Sequence, residues 1–313
     1  MLGILTERVS LGISPEVFMQ IYRSLDEVVE AGTIAHNSIV NAGCLEAMKF
    51  IPDRSIDAII TDLPFGITAC KWDTVIPFDL LWEQYKRIIK PNGAIALFGS
   101  QPFTSALVMS NPKWFKYEWI WEKNTISGFL NAKRQPLRKH ESILVFYQKQ
   151  PCYNPQYEKY SQSTYDRYDG ASSSARHSAK NASQFCYSGH TPHNGFTDFK
   201  RGRFPTTVQK FDAPNKQNFA RLAPTQKPVP LIEYLIKTYT IEGELILDNT
   251  SGSGTLAIAA INTNRRYICI EKDPDYFEVM RNRIENHDPN ALATPKKARK
   301  PRAITEGQLA LFG

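Results

Sequence analysis

Apolar and polar positions along the chain follow two alternating rhythms. Residues 15–31, PEVFMQIYRSLDEVVEA, repeat apolar side chains at helical spacing. They stand behind Ser14, a good capping residue, with Pro15 at the first helical position, so the spacing predicts one helix. Residues 37–43 and 56–61, NSIVNAG and IDAIIT, are short apolar runs bounded by turn residues and predict strands. FDLLWEQYKRII (78–89) predicts a helix, AIALFG (94–99) a strand, and PFTSALVMS (102–110) a helix. YEWIWEK (117–123) and ESILVFYQ (141–148) predict further strands. Such alternation argues for a mostly parallel sheet covered by helices.

From residue 151 to about 222 the rhythm dissolves into a stretch rich in Ser, Tyr, Asn, His and Gly. An aperiodic segment of that length inside a compact domain is usually functional or mobile. Regularity returns as helix VPLIEYLIKTYT (229–240), strand GELILD (243–248), helix TLAIAAINT (255–263), strand RYICIE (266–271) and helix DPDYFEVMRNRIENH (273–287). The expected organisation is therefore 1–150 as an N-terminal extension with one half of an α/β domain, 151–222 as an insert, 223–287 as the other half, and 288–313 as a basic tail without core-forming residues.

Composition narrows the setting. Apolar residues make up 42% of the 313 positions, enough for a substantial core. No stretch approaches the roughly 20 uncharged apolar residues of a membrane span. The five cysteines are odd in number, scattered and without CxxC spacing, which argues for free thiols rather than disulfides or a metal site, and for a cytoplasmic location. The formal net charge of +7 permits a polyanionic partner. Lys200, Arg201, Arg203 and Lys210 alternate with Phe196, Phe199, Phe204 and Phe211, so backbone charge and base stacking could be met together on nucleic acid. A second basic run, PKKARKPRA (295–303), could equally be solvated surface.

Two strand ends carry the candidate chemistry. In GELILDNTSGSGT a strand ends at Asp248, a turn holds Gly252 and Gly254, and a helix begins near Thr255. Glycines there admit a ligand to the backbone, and the helix start offers unpaired N–H groups. Glu271 ends the next strand, placed to accept ribose hydroxyls. The short Gly-Ser-Gly turn behind an aspartate differs from the three-glycine dinucleotide pattern and suits a cationic or zwitterionic group such as that of S-adenosylmethionine. The other strand end, TDLPFG (61–66), aims Asp62 and Phe65 at one place, with Pro64 and Gly66 shaping the turn. An Asx-type turn with a packed phenylalanine is the structural alternative.

In their order, TDLPFG, PTQKPVPLIEYLI and LDNTSGSGT resemble the β class of DNA amino-methyltransferases, the adenine-N6 and cytosine-N4 enzymes, over residues 36–286. The resemblance implies a Rossmann-like, seven-stranded, mostly parallel sheet of the class I methyltransferase type, circularly permuted, with residues 151–222 as target-recognition insert. It implies S-adenosyl-L-methionine as cofactor, double-stranded DNA as partner, and base flipping. Asp62 and the Leu63 carbonyl would accept the two N–H bonds of an exocyclic amine, Phe65 would stack on the base, and Pro64 would set the turn. Thr225, Gln226 and Lys227 would lie near the methionine end, Lys227 on its carboxylate. Asp248, Asn249, Thr250, Gly252, Ser253, Gly254, Thr255, Glu271 and Asp273 would complete the cofactor site. Lys123, Lys133, Arg134 and Arg138, in or beside the basic segment 124–138, would meet DNA with Lys200, Arg201, Arg203 and Lys210.

Three departures stand out: Leu63 replaces the motif's first proline, Thr250 an aromatic residue, and NAGCLE (41–46) a Gly-Asp pair. The leading aspartate favours adenine over cytosine. A C5-type transfer would need Cys152, which lacks the accompanying motif, and protein-glutamine methyltransferases place the cofactor loop first. An RNA substrate or a non-catalytic DNA-binding relative stays open, as do dimerisation and a cognate restriction enzyme. Gln308, Leu309, Leu311 and Phe312, on the terminal EGQLALFG, resemble the peptide by which bacterial DNA-processing proteins bind the sliding clamp.

Overall fold

A computed structural model of the chain describes residues 7–10, 18–67, 73–161, 163, 202–214, 222–223 and 225–289, the first of these as backbone alone. Strands β1 (Glu7–Ser10) and β2 (Phe18–Tyr22), helix α1 (Leu25–Ala31), β3 (Ser38–Asn41), α2 (Cys44–Met48) and β4 (Ile56–Thr61) come first. Helix α3 (Phe78–Ile88), β5 (Ile89–Gly99), α4 (Phe103–Ser110), β6 (Phe115–Ser127), β7 (Arg138–Phe146) and β8 (Val208–Phe211) follow. The chain then forms α5 (Val229–Tyr239), β9 (Leu245–Asp248), α6 (Thr255–Asn262), β10 (Arg266–Glu271) and α7 (Pro274–Glu285).

The ten strands among the described residues form one mixed sheet in the order β1-β2-β3-β10-β9-β4-β5-β7-β6-β8. Its centre, from β2 through β5, is wholly parallel, and β7 runs antiparallel to both β5 and β6. The expected seven strands become ten because β1, β2 and β8 extend the edges. β4 is buried at all six positions, as a central parallel strand must be when helices cover both faces. One apolar layer packs α5, α6 and α7 on one face, and a second packs α1 to α4 on the other.

The single helix expected over 15–31 is corrected to a strand and a shorter helix. FMQIY fits helical and strand spacing alike, and pairing decides: Gln20, Ile21 and Tyr22 run parallel beside Ser38, Ile39 and Val40. Met19 and Ile21 then bury against the α5–α7 layer. The cap is Ser24, whose hydroxyl accepts the Glu27 N–H at 3.3 Å, not Ser14, which lies outside the described residues. No helix among the described residues is long and apolar enough to cross a membrane.

Two constraints place the helices that serve the site. Tyr239, at the end of α5, takes hydrogen bonds from Trp119 Nε1 at 2.6 Å and shares one with Tyr117 at 3.0 Å, which ties α5 to β6. Gly254 opens α6 at φ +73°, and a Cβ there would stand 2.6 Å from Met280 Cγ on α7. Gly254→Ala should therefore destabilise the fold by roughly 2–4 kcal/mol, combining left-handed strain with overpacking, as urea unfolding would measure.

Candidate active site

Two parallel strands bring the candidate loops together. β4 and β9 are neighbours, with Ala58 beside Ile246 and Ile59 beside Leu247, so both end at the same sheet edge. Four groups tie those ends. Thr61 Oγ1 lies 2.7 Å from Asp248 Oδ1 and 2.7 Å from Thr250 Oγ1. The Thr250 hydroxyl donates to the Asp62 carbonyl at 3.0 Å, and the Thr250 N–H donates to Asp248 Oδ1 at 3.1 Å. Threonine at 250 thus stitches the two loops where an aromatic ring would only pack. Burial pushes the Asp248 carboxyl up to about 7, against the hydrogen bonds from Thr61 and Thr250.

Asp62 stands at the next position of the β4 loop. Its Oδ2 is 2.5 Å from the buried Lys227 Nζ, which also lies 3.3 Å from Glu141 Oε2 on β7. Glu141 is held from its other side by the Lys123 ammonium of β6. Two carboxylates and two ammoniums therefore alternate through the interior without net charge. Burial raises the Asp62 carboxyl, partly opposed by Lys227 and reinforced by Glu141. Burial works the same way on Glu141, but the Lys227 and Lys123 charges overcome it and leave that carboxyl below its ordinary range. Lys227 stays cationic for the mirrored reason: desolvation is outweighed by the two carboxylates. Asp62 Oδ1, by contrast, is buried with no hydrogen-bond partner among the described residues.

The turn after Asp62 is shaped from both sides. Leu63, 3% exposed, packs into the α1–α4 layer, so its side chain fills core where the motif's proline would stand. The N–H groups of Gly66 and Ile67 donate to the Asp73 carboxylate at 2.8 and 3.0 Å, closing the loop. Gly66 adopts φ +70°, which favours glycine. Phe65 packs on Phe103 at 5.1 Å between ring centres, with Lys227 Nζ 6.0 Å from its centroid.

On the glycine-loop side, Gly252 N–H donates to Glu271 Oε2 at 2.7 Å, and Asp273 N–H to Glu271 Oε1 at 2.9 Å. A Cβ on Gly252 would meet nothing within 4 Å, so the backbone there faces open space. Ser253 and Thr255 are braced by Arg283, whose guanidinium reaches the Ser253 carbonyl at 3.0 Å and the Thr255 hydroxyl at 3.1 Å. Burial draws that guanidinium down to about 10. Asn249 accepts from the Tyr85 hydroxyl at 2.6 Å, and its Nδ2 is buried without a partner among the described residues.

One cavity of about 370 Å³ gathers most of the sequence candidates. Asp62, Leu63, Pro64, Phe65, Thr225, Gln226, Lys227, Asp248, Asn249, Thr250, Gly252, Ser253, Thr255 and Glu271 all line it. Two candidates have other work. Gly254 packs against α7, and Asp273 caps α7 by accepting the Asp275 and Tyr276 N–H bonds at 2.9 and 3.1 Å. Lys227, expected on a methionine carboxylate, lies between Asp62 and Glu141. Sequence reasoning missed Glu141, Asp73, Lys272 and Tyr276, which also line the cavity. A carboxylate seven residues beyond the Gly66 turn was the one available hint of Asp73.

The basic candidates divide in the same way. Lys123 is committed to Glu141 and lies 5.1 Å from the Trp121 ring. Lys133, Arg134 and Arg138 are exposed on the β6–β7 hairpin, with Arg138 at the cavity mouth. Arg203 pairs with Glu158 at 2.6 Å and Lys210 with Glu122 at 3.2 Å, both from exposed positions. Lys200, Arg201, Gln308, Leu309, Leu311 and Phe312 lie outside the described residues.

Comparison with known proteins places this chain in a family. The DNA methylase family of the N6/N4 type matches residues 56–282. The chain is 25% identical over 263 residues to the Type II methyltransferase M.HpaI of Haemophilus parainfluenzae, covering 79% of this chain and 74% of that protein. It superposes on M1.HpyAVI, crystallised as a complex with SAM, at a TM-score of 0.52 and 24% identity, over 78% of this chain and 98% of that one. It also superposes on the cytosine-N4-specific PvuII DNA methyltransferase, at a TM-score of 0.55 and 14% identity, over 82% and 89% of the two chains. Both structural likenesses establish the α/β methyltransferase fold.

Asp248 makes stability depend on pH. Its carboxyl is raised in the fold, so its stabilising contribution is complete below the unfolded value near 3.8 and is lost as pH rises through about 7. Urea unfolding at about pH 5 and 8.5 should show a loss of about 2–4 kcal/mol in the wild type that Asp248→Asn largely removes.

Proposed function

The chain belongs to the N6/N4 family of DNA methylases, and we propose that it moves the methyl group of S-adenosyl-L-methionine to the exocyclic amine of a base flipped out of duplex DNA, adenine N6 in preference to cytosine N4. The observation that carries this reading is the split state of Asp62. One carboxylate oxygen is held by Lys227, and the other is buried, without a partner among the described residues, in the cavity that the glycine loop also lines. A buried acceptor left empty costs about 1–3 kcal/mol unless a ligand fills it. An amine N–H is such a donor.

The residues on the glycine side suit the cofactor. Open space above Gly252, a buried amide donor on Asn249 and the carboxylates of Asp248 and Glu271 offer contacts to a ligand with amino, carboxylate and hydroxyl groups. When bound, S-adenosylmethionine supplies an electrophilic methyl on a sulfonium. The chain's own part is to hold the nucleophile. An aromatic amine is weakly nucleophilic because its lone pair is delocalised into the ring. Asp62 Oδ1 accepts one N–H and the Leu63 carbonyl the other, which favours a pyramidal nitrogen with its lone pair free. As the N–C bond formed and the methyl's bond to sulfur broke, leaving a neutral thioether, Asp62 would stabilise positive charge on nitrogen and take up the departing proton. Phe65 supports the base face. Lys227, itself held by Glu141, keeps the Asp62 carboxylate from turning away. The leading Asp62 supports adenine, and likeness to a Type II methyltransferase supports sequence-specific modification.

Transfer of labelled methyl from S-adenosylmethionine to DNA, with mass spectrometry of the released nucleosides, tests the reading. N6-methyladenine is the expected product. N4-methylcytosine alone would overturn the base preference, and no transfer would overturn the function. Asp62→Ala should lower kcat at least about a hundredfold while leaving cofactor affinity within a few-fold. Lys227→Met should lower kcat with a shifted pH profile, since the Asp62 carboxyl then titrates without its cationic neighbour.

A further inference from the structure

We infer that the apolar tip of the β6–β7 hairpin, Phe129 and Leu130, is a wedge that enters duplex DNA and fills the space left by the extruded base. This rests on the flipped-base reading above and adds a group that reading does not use. The hairpin closes on the pair Ser127 and Arg138, and both residues line the cavity. The tip therefore begins at the cavity mouth, beside the place an extruded base must pass.

The tip is built before any partner arrives. Gly128 adopts φ +93°, and a turn of 3-10 helix follows over Phe129–Asn131. Backbone N–H groups of Asn131 and Ala132 donate to the carbonyls of Gly128 and Phe129 at 2.9 and 3.1 Å, and those of Arg134 and Gln135 to the Asn131 carbonyl at 2.8 and 3.0 Å. This ordered turn holds out two consecutive apolar side chains. Leu130 is fully exposed, more so than any other large apolar residue described, and Phe129 is 62% exposed. A turn that merely joins two strands is polar, so large apolar groups presented at its apex point to a partner outside the chain.

Charge identifies that partner. Lys133, Arg134 and Arg138 stand on the same hairpin, exposed, and none pairs with an acidic side chain among the described residues. The nearby acids are already neutralised, Glu122 by Lys139 and Lys210, and Glu141 by Lys123 and Lys227. An apolar apex on a basic stem matches a polyanion with an apolar interior. In a duplex the phosphates would take the stem and the base stack the apex.

The test compares Phe129→Ala, Leu130→Ala and the double variant on two duplexes carrying the methylated site, first located by sequencing modified DNA. One duplex is fully paired, and the other has an abasic position opposite the target base. In the paired duplex extrusion leaves an unfilled gap, so the double variant should lose about tenfold or more in kcat/KM. In the other duplex pairing is already broken, and most of the rate should return. A 2-aminopurine at the target should brighten less with the double variant on the paired duplex than with wild type. Unchanged thermal unfolding would confirm that the exposed tip has no part in the fold. Equal losses on the two duplexes, or no loss on either, would overturn the wedge. A wild-type chain that methylates neither would overturn the flipped-base reading and the wedge with it.

Discussion

The Thr250 hydroxyl and the β4–β9 pairing hold the two loops of the site at one sheet edge. A parallel sheet exposes the carboxyl ends of its strands together, but two adjacent strands ending in buried acids would repel unless something bridged them. Thr61 and Thr250 do so, linking the Asp248 carboxylate to the Asp62 backbone within 3.0 Å at each step. Because the carbonyl of Asp62 is taken by Thr250 and its Oδ2 by Lys227, the oxygens of that loop left without a bond among the described residues include Asp62 Oδ1 and the carbonyl of Leu63. The stitch therefore selects which atoms the cavity presents.

Charge arrangement does the rest. Four ionisable groups in a row, Lys227 buried and the other three partly so, would each be disfavoured alone, and they persist because every ammonium meets a carboxylate. The price is distributed over three strands and the start of α5: Asp62 follows β4, Lys123 lies on β6, Glu141 on β7, and Lys227 precedes α5. Lys227 is the pivot, shared between a catalytic candidate and a residue on the antiparallel half of the sheet. The reversal of β7 brings Glu141 to the same edge as Asp62, with Gly99 at the end of β5 paired beside Ser142. The antiparallel hairpin thus supports the cavity at its base and carries the basic, apolar tip at its end.

The chain belongs to the DNA methylase family, and the proposed function would give these contacts a common purpose. A transferase acting on an amine needs acceptors that are desolvated yet unsatisfied, a loop whose backbone admits a nucleoside, and a means of reaching a base inside a duplex. In the proposed reading, Asp62, Gly252 and the hairpin tip meet these requirements from separate parts of the chain, and the β4–β9 pairing holds the first two at one sheet edge. Arg283 contributes from behind the glycine loop, where its guanidinium braces Ser253 and Thr255 from a position ten residues beyond the cap of α7.

By itself the sequence determined the local matters. Apolar spacing marked β4, α3, β9, α6, β10 and α7, because burial on one face or two leaves a period in the chain. The turns at Asp62 and Gly252 were legible because glycine, proline and aspartate have backbone requirements that show in single residues. Tertiary structure decided what pairing and distance control. It made FMQIY a strand, since that segment fits either period and β3 supplied the ladder. It moved Lys227 onto Asp62, 165 residues away in sequence, and added Glu141 and Asp73, whose carboxylates look like ordinary surface acids until the fold surrounds them. It also gave Gly254 to helix packing and Asp273 to a cap, because a residue type announces what it can do but only its neighbours decide which of those things it does.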